Sequence, residues 1–272
     1  MPVYKGETLK MILIYAAAIL IVTWILAPLG LIFLSAFAVP SEYYDIRKPI
    51  PTKFTLENVN TLLFILGAWR STLNSLFVAI LTILISFALG LPAGYSLARF
   101  MFKGRDTFKL LIIGLRMFPI IVLAVPLITI YLQIGLADTL IGVALAHTAM
   151  SLPFVVLITS SIFAGIPVDY EEAGMVFGLS RMEAFLRVTL PLALPGLAAA
   201  SIFVFIMSWN EVFIASVLVL INRTLPADIL ISALNAPDPL KFAAGFVMVL
   251  PAMIFVFIAR KYLIQVWGIT IR

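Results

Sequence analysis

The sequence predicts an all-α integral membrane protein of six transmembrane helices. Three observations carry that prediction. Hydrophobic residues make up 63% of the chain and charged residues 11%, where a soluble domain carries about 25% charged residues. Six separate apolar runs reach the ~20 residues needed to cross a hydrocarbon core. Lysine and arginine fall unevenly on alternate connecting loops. All 272 residues read as one membrane domain.

The first span covers about residues 9–39, with Pro28 inside it. Lys5 and Lys10 precede it, as in a secretory leader, but the run is far longer than the ~7–15 residues of a leader's apolar stretch. No small-residue cleavage pattern follows, so it is expected to be retained. The second span is about 72–98, with Gly90 and Pro92. The third is about 108–134, with Pro119 and Pro126. The fourth is about 139–163, with Pro153. The fifth is about 192–220, and the sixth is about 242–265, with Pro251. Internal prolines are tolerated where neighbouring helices or water satisfy the freed carbonyls. Two readings of them stand: helices bent around a pathway, or ordinary kinks in a packed bundle.

Six spans place both termini on one side. That side holds Lys5, Lys10, Arg99, Lys103, Arg105, Lys109, Arg181, Arg187, Arg260, Lys261 and Arg272. The other holds Arg47, Lys48, Lys53, Arg70, Arg223 and Lys241, and Arg116 falls within a span. The excess makes the termini cytoplasmic. The net charge of +5 then reflects loop bias rather than nucleic-acid binding. The chain has no cysteine, so it offers neither disulfide nor thiol chemistry.

The cytoplasmic loop at 164–191 is the unusual segment. Its sequence DYEEAGMVFGLSRMEAFLRVTLP carries two helix-start signals. Asp169 with Glu172 reads as an acidic N-cap with Glu at the third helical position. Ser180 with Glu183 repeats the spacing as a capping box. Gly178 between them suits a helix end that needs positive φ. Two short helices follow, the first about 170–177. On it Ala173, Val176 and Phe177 share one face by i, i+3, i+4 spacing. Such a unit in an aqueous loop is suited to presentation to another protein.

No Lys is followed by Ser or Thr, so no phosphate-binding P-loop is present. HExxH, CxxC and GxSxG are absent too, and His147 is the single histidine. No catalytic residue, metal site or resident cofactor is expected, and the chain does not read as an enzyme.

Glu172, Ala173 and Gly174, three residues, Gly178, nine residues, and Val188-Thr189-Leu190-Pro191 resemble the EAA loop of ABC importer permeases, EAA–x3–G–x9–I–x–LP. FTLENV at 54–59, NSLFVAI at 74–80, the YSLARFMFKGRD run from Tyr95, RMFP at 116–119, IGLADTLIG at 134–142 and LPGLAAASIFVFIMSWNEVF at 194–213 are similar to carbohydrate permeases of the maltose-transporter type. The likeness is to the six-span second permease and covers nearly the whole chain. At QVWGITIR the chain departs from the family's Gly-rich tail, so a tail contact with the ATPase is not expected.

The resemblance implies an ABC type I importer permease in the cell membrane. It implies a coupling helix formed by Glu172, Ala173, Gly174, Val176, Phe177 and Gly178 that docks on a separate ATPase. ATP and Mg belong to two such ATP-binding subunits. A second homologous permease completes the pore, an extracytoplasmic solute-binding protein delivers a sugar or oligosaccharide, and lipid surrounds the bundle. The outer loops at 40–70 and 222–240 are the expected binding-protein contacts. A polyol, glycerol phosphoester or polyamine remains an alternative solute. An ion-coupled carrier would require paired acidic residues near the midplane and an inverted repeat, whereas Glu211 is the one carboxylate well inside a predicted span.

Intramembrane ionisable groups are functional candidates by default. Arg116 lies ~12 Å from the inner end of span three and Glu211 ~28 Å along span five, at 1.5 Å per residue. That offset argues against a direct pair. Arg116 is open to a structural role on carbonyls freed by Pro119 or to a place on the solute path. His147 is open to a hydrogen bond with a neighbouring helix or to solute contact. Trp209, Asn210 and Glu211 stand toward the outer end of span five, as solute contacts or as a gate.

Overall fold

A computed structural model describes residues 5–47, 50–232 and 236–266, with side chains for 9–258 of these. Lys48, the segment 233–235 of the second outer loop, and Trp267–Arg272 lie outside the described residues, as do the side chains of Arg260 and Lys261. Among the described residues five helices are long and apolar enough to cross a membrane, and a bent pair makes a sixth if it counts as one span. These are α1 (Lys5–Ala36), α2 (Ala68–Arg99), the pair α3 (Arg105–Leu115) and α4 (Ile120–Ile134), and α5 (Leu140–Ala164). After them come the short α6 (Asp169–Val176), α7 (Arg181–Trp209), the short α8 (Phe213–Leu218) and α9 (Leu225–Ser232), and α10 (Asp238–Val266).

The chain forms two compact units. Unit 1 is Met1–Gly67 with Ser232–Val249, and unit 2 is Ala68–Ile231 with Leu250–Arg272. In unit 1 the segment after α1 folds back on the end of that helix. Asn58 donates to the carbonyls of Ala36 and Ala38 at 3.0 and 2.9 Å. The buried Glu42 carboxylate accepts the backbone N–H groups of Thr52 and Lys53 at 2.8 and 2.7 Å. Phe33, Phe37 and Phe246 stack edge to face beneath it.

Unit 2 is organised by a seam of small residues between α2 and α5. Ser75, Ala79, Thr82, Ser86, Gly90 and Gly94 recur at three- and four-residue spacing along α2, and all are buried. Lipid tails are as apolar as leucine, so membrane helices gain from close backbone approach and from hydrogen bonds across the gap. Both are present. Ser86 and Ser151 hydroxyls lie 2.8 Å apart, and Thr159 donates to the Gly90 carbonyl at 3.1 Å. A methyl group on Gly90 would lie 2.6 Å from Val155 Cγ1, and one on Gly94 would overlap Thr159 Oγ1.

Three expectations about the spans are corrected. The third span is two helices meeting at 87°. Pro119 has no N–H and disfavours helical backbone before it; it stands as the extended N-cap of α4. The second short helix of the loop does not end separately. It runs on from Arg181 as α7, through a π-helical turn at Phe185–Thr189. Pro191 cannot donate to the ladder, and just upstream the bonding widens, with Leu190 N–H reaching the Phe185 carbonyl. The helix of the expected fifth span therefore begins earlier than 192 and stops at Trp209 rather than 220. Glu211 lies just past the end of that helix; its carboxylate accepts the N–H groups of Ile214 and Ala215 at 2.8 and 2.9 Å in the first turn of α8.

Candidate functional site

The loop carrying the EAA-like residues is built from α6 and the first turns of α7. Pro167 precedes it, and Val168 is the N-cap of α6, without a side-chain cap. The expected cap at Asp169 is thus corrected by one residue. Asp169, Glu171 and Glu172 all occupy the first turn, where carboxylates meet the positive end of the helix dipole.

The helix ends in a Schellman turn. Gly178 takes φ +92°. Its N–H bonds Met175 O at 3.0 Å, and Leu179 N–H bonds Gly174 O at 3.2 Å. Gly174 is accounted for here. A methyl at that position would lie 3.2 Å from Leu179 Cδ1 and 3.4 Å from Val188 Cγ2, so Leu179 would have to yield by a few tenths of an ångström. Ser180 then opens α7. It accepts Glu183 N–H at 3.3 Å, and Glu183 Oε2 accepts Ser180 N–H at 2.9 Å.

The two faces of α6 differ. Outward stand Glu172 and Ala173, both exposed, with Val176 85% and Phe177 89% exposed. Inward stands Glu171, 4% exposed, which sequence reasoning overlooked. Its Oε2 accepts the Tyr95 hydroxyl at 2.7 Å, and its Oε1 accepts Arg99 Nε at 2.7 Å and meets Nη2 at 2.6 Å. Arg99 Nη2 also donates to Ile166 O at 2.9 Å. Burial pushes the Glu171 carboxyl up, but the Tyr95 hydroxyl and the Arg99 guanidinium outweigh it and hold the group below the usual carboxylate range. The signal was available as Tyr95 and Arg99, one turn apart at the C-terminal end of α2.

The polar and aromatic candidates expected within the spans separate into two places. His147, 2% exposed, bridges two groups of the α7 end. Its Nδ1 lies 2.8 Å from Ser208 Oγ, and its Nε2 lies 3.2 Å from Glu211 Oε2. Trp209 is buried and stacks on Phe205, which stacks on Phe255 at 4.0 Å. Asn210 is the exposed C-cap of α7. Arg116 lies elsewhere, at the C-cap of α3, with its guanidinium 5.5 Å from the centre of the Phe154 ring. It lines a cavity of about 650 Å3 with Phe118, Ile120, Tyr131, Met150 and Ile214. Trp209, Asn210, Glu211 and His147 do not line that cavity.

Several apolar helices, a seam of small residues between two of them and a capped short helix with an apolar outward face make a multi-pass membrane protein. Residues 90–266 match the family described as binding-protein-dependent transport system inner membrane component, and the chain belongs to it. It is 33% identical over 261 residues to the trehalose transport system permease protein SugB of Mycobacterium tuberculosis, covering 90% of this chain and 91% of that one. It is 31% identical over 228 residues to the alpha-glucoside transport system permease protein AglG of Rhizobium meliloti, covering 79% of this chain; the match spans 59% of that relative's length. A chain from the crystal structure of a bacterial ABC transporter that imports the acidic polysaccharide alginate shares the fold. Its TM-score is 0.77 at 22% identity, over 96% of this chain and 99% of that one.

Proposed function

We propose that this permease carries a sugar or oligosaccharide inward, and that α6 is the helix on which a separate ATPase acts. The observation that carries the reading is the outward face of α6, where Val176 and Phe177 are 85% and 89% exposed on a helix held firmly from its other side. Large apolar side chains fully exposed at the end of a capped helix suit insertion into a cleft. Glu172 beside them offers a carboxylate to a basic residue of the partner. ATP and Mg bind on that partner. The relatives named for trehalose and alpha-glucoside transport support the solute class.

A second permease completes the pathway, and an extracytoplasmic binding protein delivers the solute to the outer loops. Both termini face the cytoplasm. Closure of two ATPases on ATP moves the docked helices and switches the bundle between inward- and outward-open states. A cysteine introduced in place of Ala173, in a chain that has none, tests the docking. Cross-linking to an ATP-binding subunit is expected; failure at positions 173, 176 and 177 alike would count against it.

A further inference from the structure

Resting on the docking reading, we propose that Glu171, Tyr95 and Arg99 form the joint that transmits movement of α6 to the membrane helices, with Glu171 as its positioning residue. An eight-residue helix has little stability of its own; what it transmits depends on how it is fastened. Toward α2, the helix offers a carboxylate. Apolar contacts can slide, whereas charge-assisted hydrogen bonds have fixed lengths and directions. Both oxygens of Glu171 are engaged, one by Tyr95 and one by Arg99.

The far ends of these bonds are fixed too. Arg99 also holds the Ile166 carbonyl, just past the end of α5. The Tyr95 ring packs on Phe163 of α5 and Phe185 of α7, with centroids 5.8 and 4.6 Å apart. α2 and α5 are locked along their small-residue seam. A push on the outward face of α6 therefore reaches α2 through one carboxylate, while the short linkers and the packing of Gly174 near Val188 join α6 to α5 and α7 directly. The exposed residues grip the partner, and Glu171 relays the displacement.

The test uses the purified complex with its partner subunits and two reporter substitutions, each to cysteine. Ala173→Cys reports docking by cross-linking. Met150→Cys, at a position lining the cavity of unit 2, reports the bundle's state by its labelling rate with a water-soluble maleimide. With the joint intact, a non-hydrolysable ATP analogue with Mg is expected to change labelling at position 150 by about tenfold, a typical coupling between sites. Glu171→Gln and Arg99→Lys should keep the cross-link from position 173 yet hold the labelling response under about twofold; Tyr95→Phe should fall between. A full response in Glu171→Gln would overturn the joint. So would loss of the cross-link in that variant, because Glu171 would then merely fold α6. Absence of the cross-link in the otherwise unsubstituted chain would sink the docking reading itself.

Discussion

His147 and Glu211 meet across the α5–α7 packing, with Nε2 3.2 Å from Oε2 and side chains only 2% and 8% exposed. The imidazole is held from its other side by Ser208. The carboxylate is held by two backbone N–H groups of α8. Glu211 thus joins three elements while His147 joins two. Removing one partner of a buried ionic pair costs about 3–5 kcal/mol, and leaving a neutral buried partner unpaired costs about 1–3 kcal/mol. Both His147→Ala and Glu211→Ala should lower the melting temperature of the detergent-solubilised protein. Glu211→Ala should lower it more, because α8 loses its cap as well. Equal melting temperatures would contradict this ordering.

Asp138 fastens the turn between α8 and α9. Its carboxylate accepts the N–H groups of Leu220 and Ile221, each at 2.9 Å, and its backbone sits at φ +56°. The Ile221 N–H, with those of Leu220 and Asn222, holds the carboxyl below its ordinary range against the opposing effect of burial. A depressed folded-state value means stability present above the unfolded value and lost as pH falls through the folded one. Melting temperature should therefore drop on acidification below the ordinary carboxylate value of about 3.9. Asp138→Asn tolerates the positive φ and should flatten that acid limb. Asp138→Ala adds about 1–2 kcal/mol of left-handed backbone strain and should be less stable at neutral pH as well. An unchanged acid limb in Asp138→Asn would refute the assignment.

The α2–α5 seam predicts a contrast among glycines. Gly94→Ala and Gly90→Ala place a methyl into Thr159 and Val155. Both should reduce the yield of monodisperse protein sharply. Gly114→Ala in α3 meets nothing within 4 Å, and should stabilise by up to about 1 kcal/mol through helix propensity. Size-exclusion profiles of the three variants check this, and similar profiles would argue against a close seam.

Gly178 gives a second backbone test. A methyl there meets nothing within 4 Å, so the whole cost of Gly178→Ala is its φ of +92°. Gly178→Asn, better tolerated in left-handed backbone, should retain more ATPase co-purification than Gly178→Ala. The reverse order would mean that the turn is not what Gly178 supplies.

Much of this architecture was legible because the bilayer imposes it. Runs of ~20 apolar residues have few alternatives to spanning helices. The breaks were harder. Pro119 was visible, yet a proline marks either a kink or a full turn, and the 87° bend depends on tertiary packing. The stop at Trp209 has no proline, and the Glu211 carboxylate that then bonds the first turn of α8 looks like an ordinary charge in sequence. The seam was readable in principle from small residues at three- and four-residue spacing along α2, although prolines are the more conspicuous signal there. In the loop, spacing singled out Glu172. Glu171 gains its place from Tyr95 and Arg99, more than 70 residues away, and no local pattern encodes such a partner.

The most direct test of the central claim substitutes Phe177, 89% exposed at the end of α6. The tagged chain and its Phe177→Glu variant would be extracted gently from native membranes and their co-purifying subunits identified. The unsubstituted chain should bring a homologous permease and an ATP-binding subunit, and the variant should keep the permease and lose the ATPase. Retention of the ATPase at full stoichiometry by the variant would contradict α6 as its docking site.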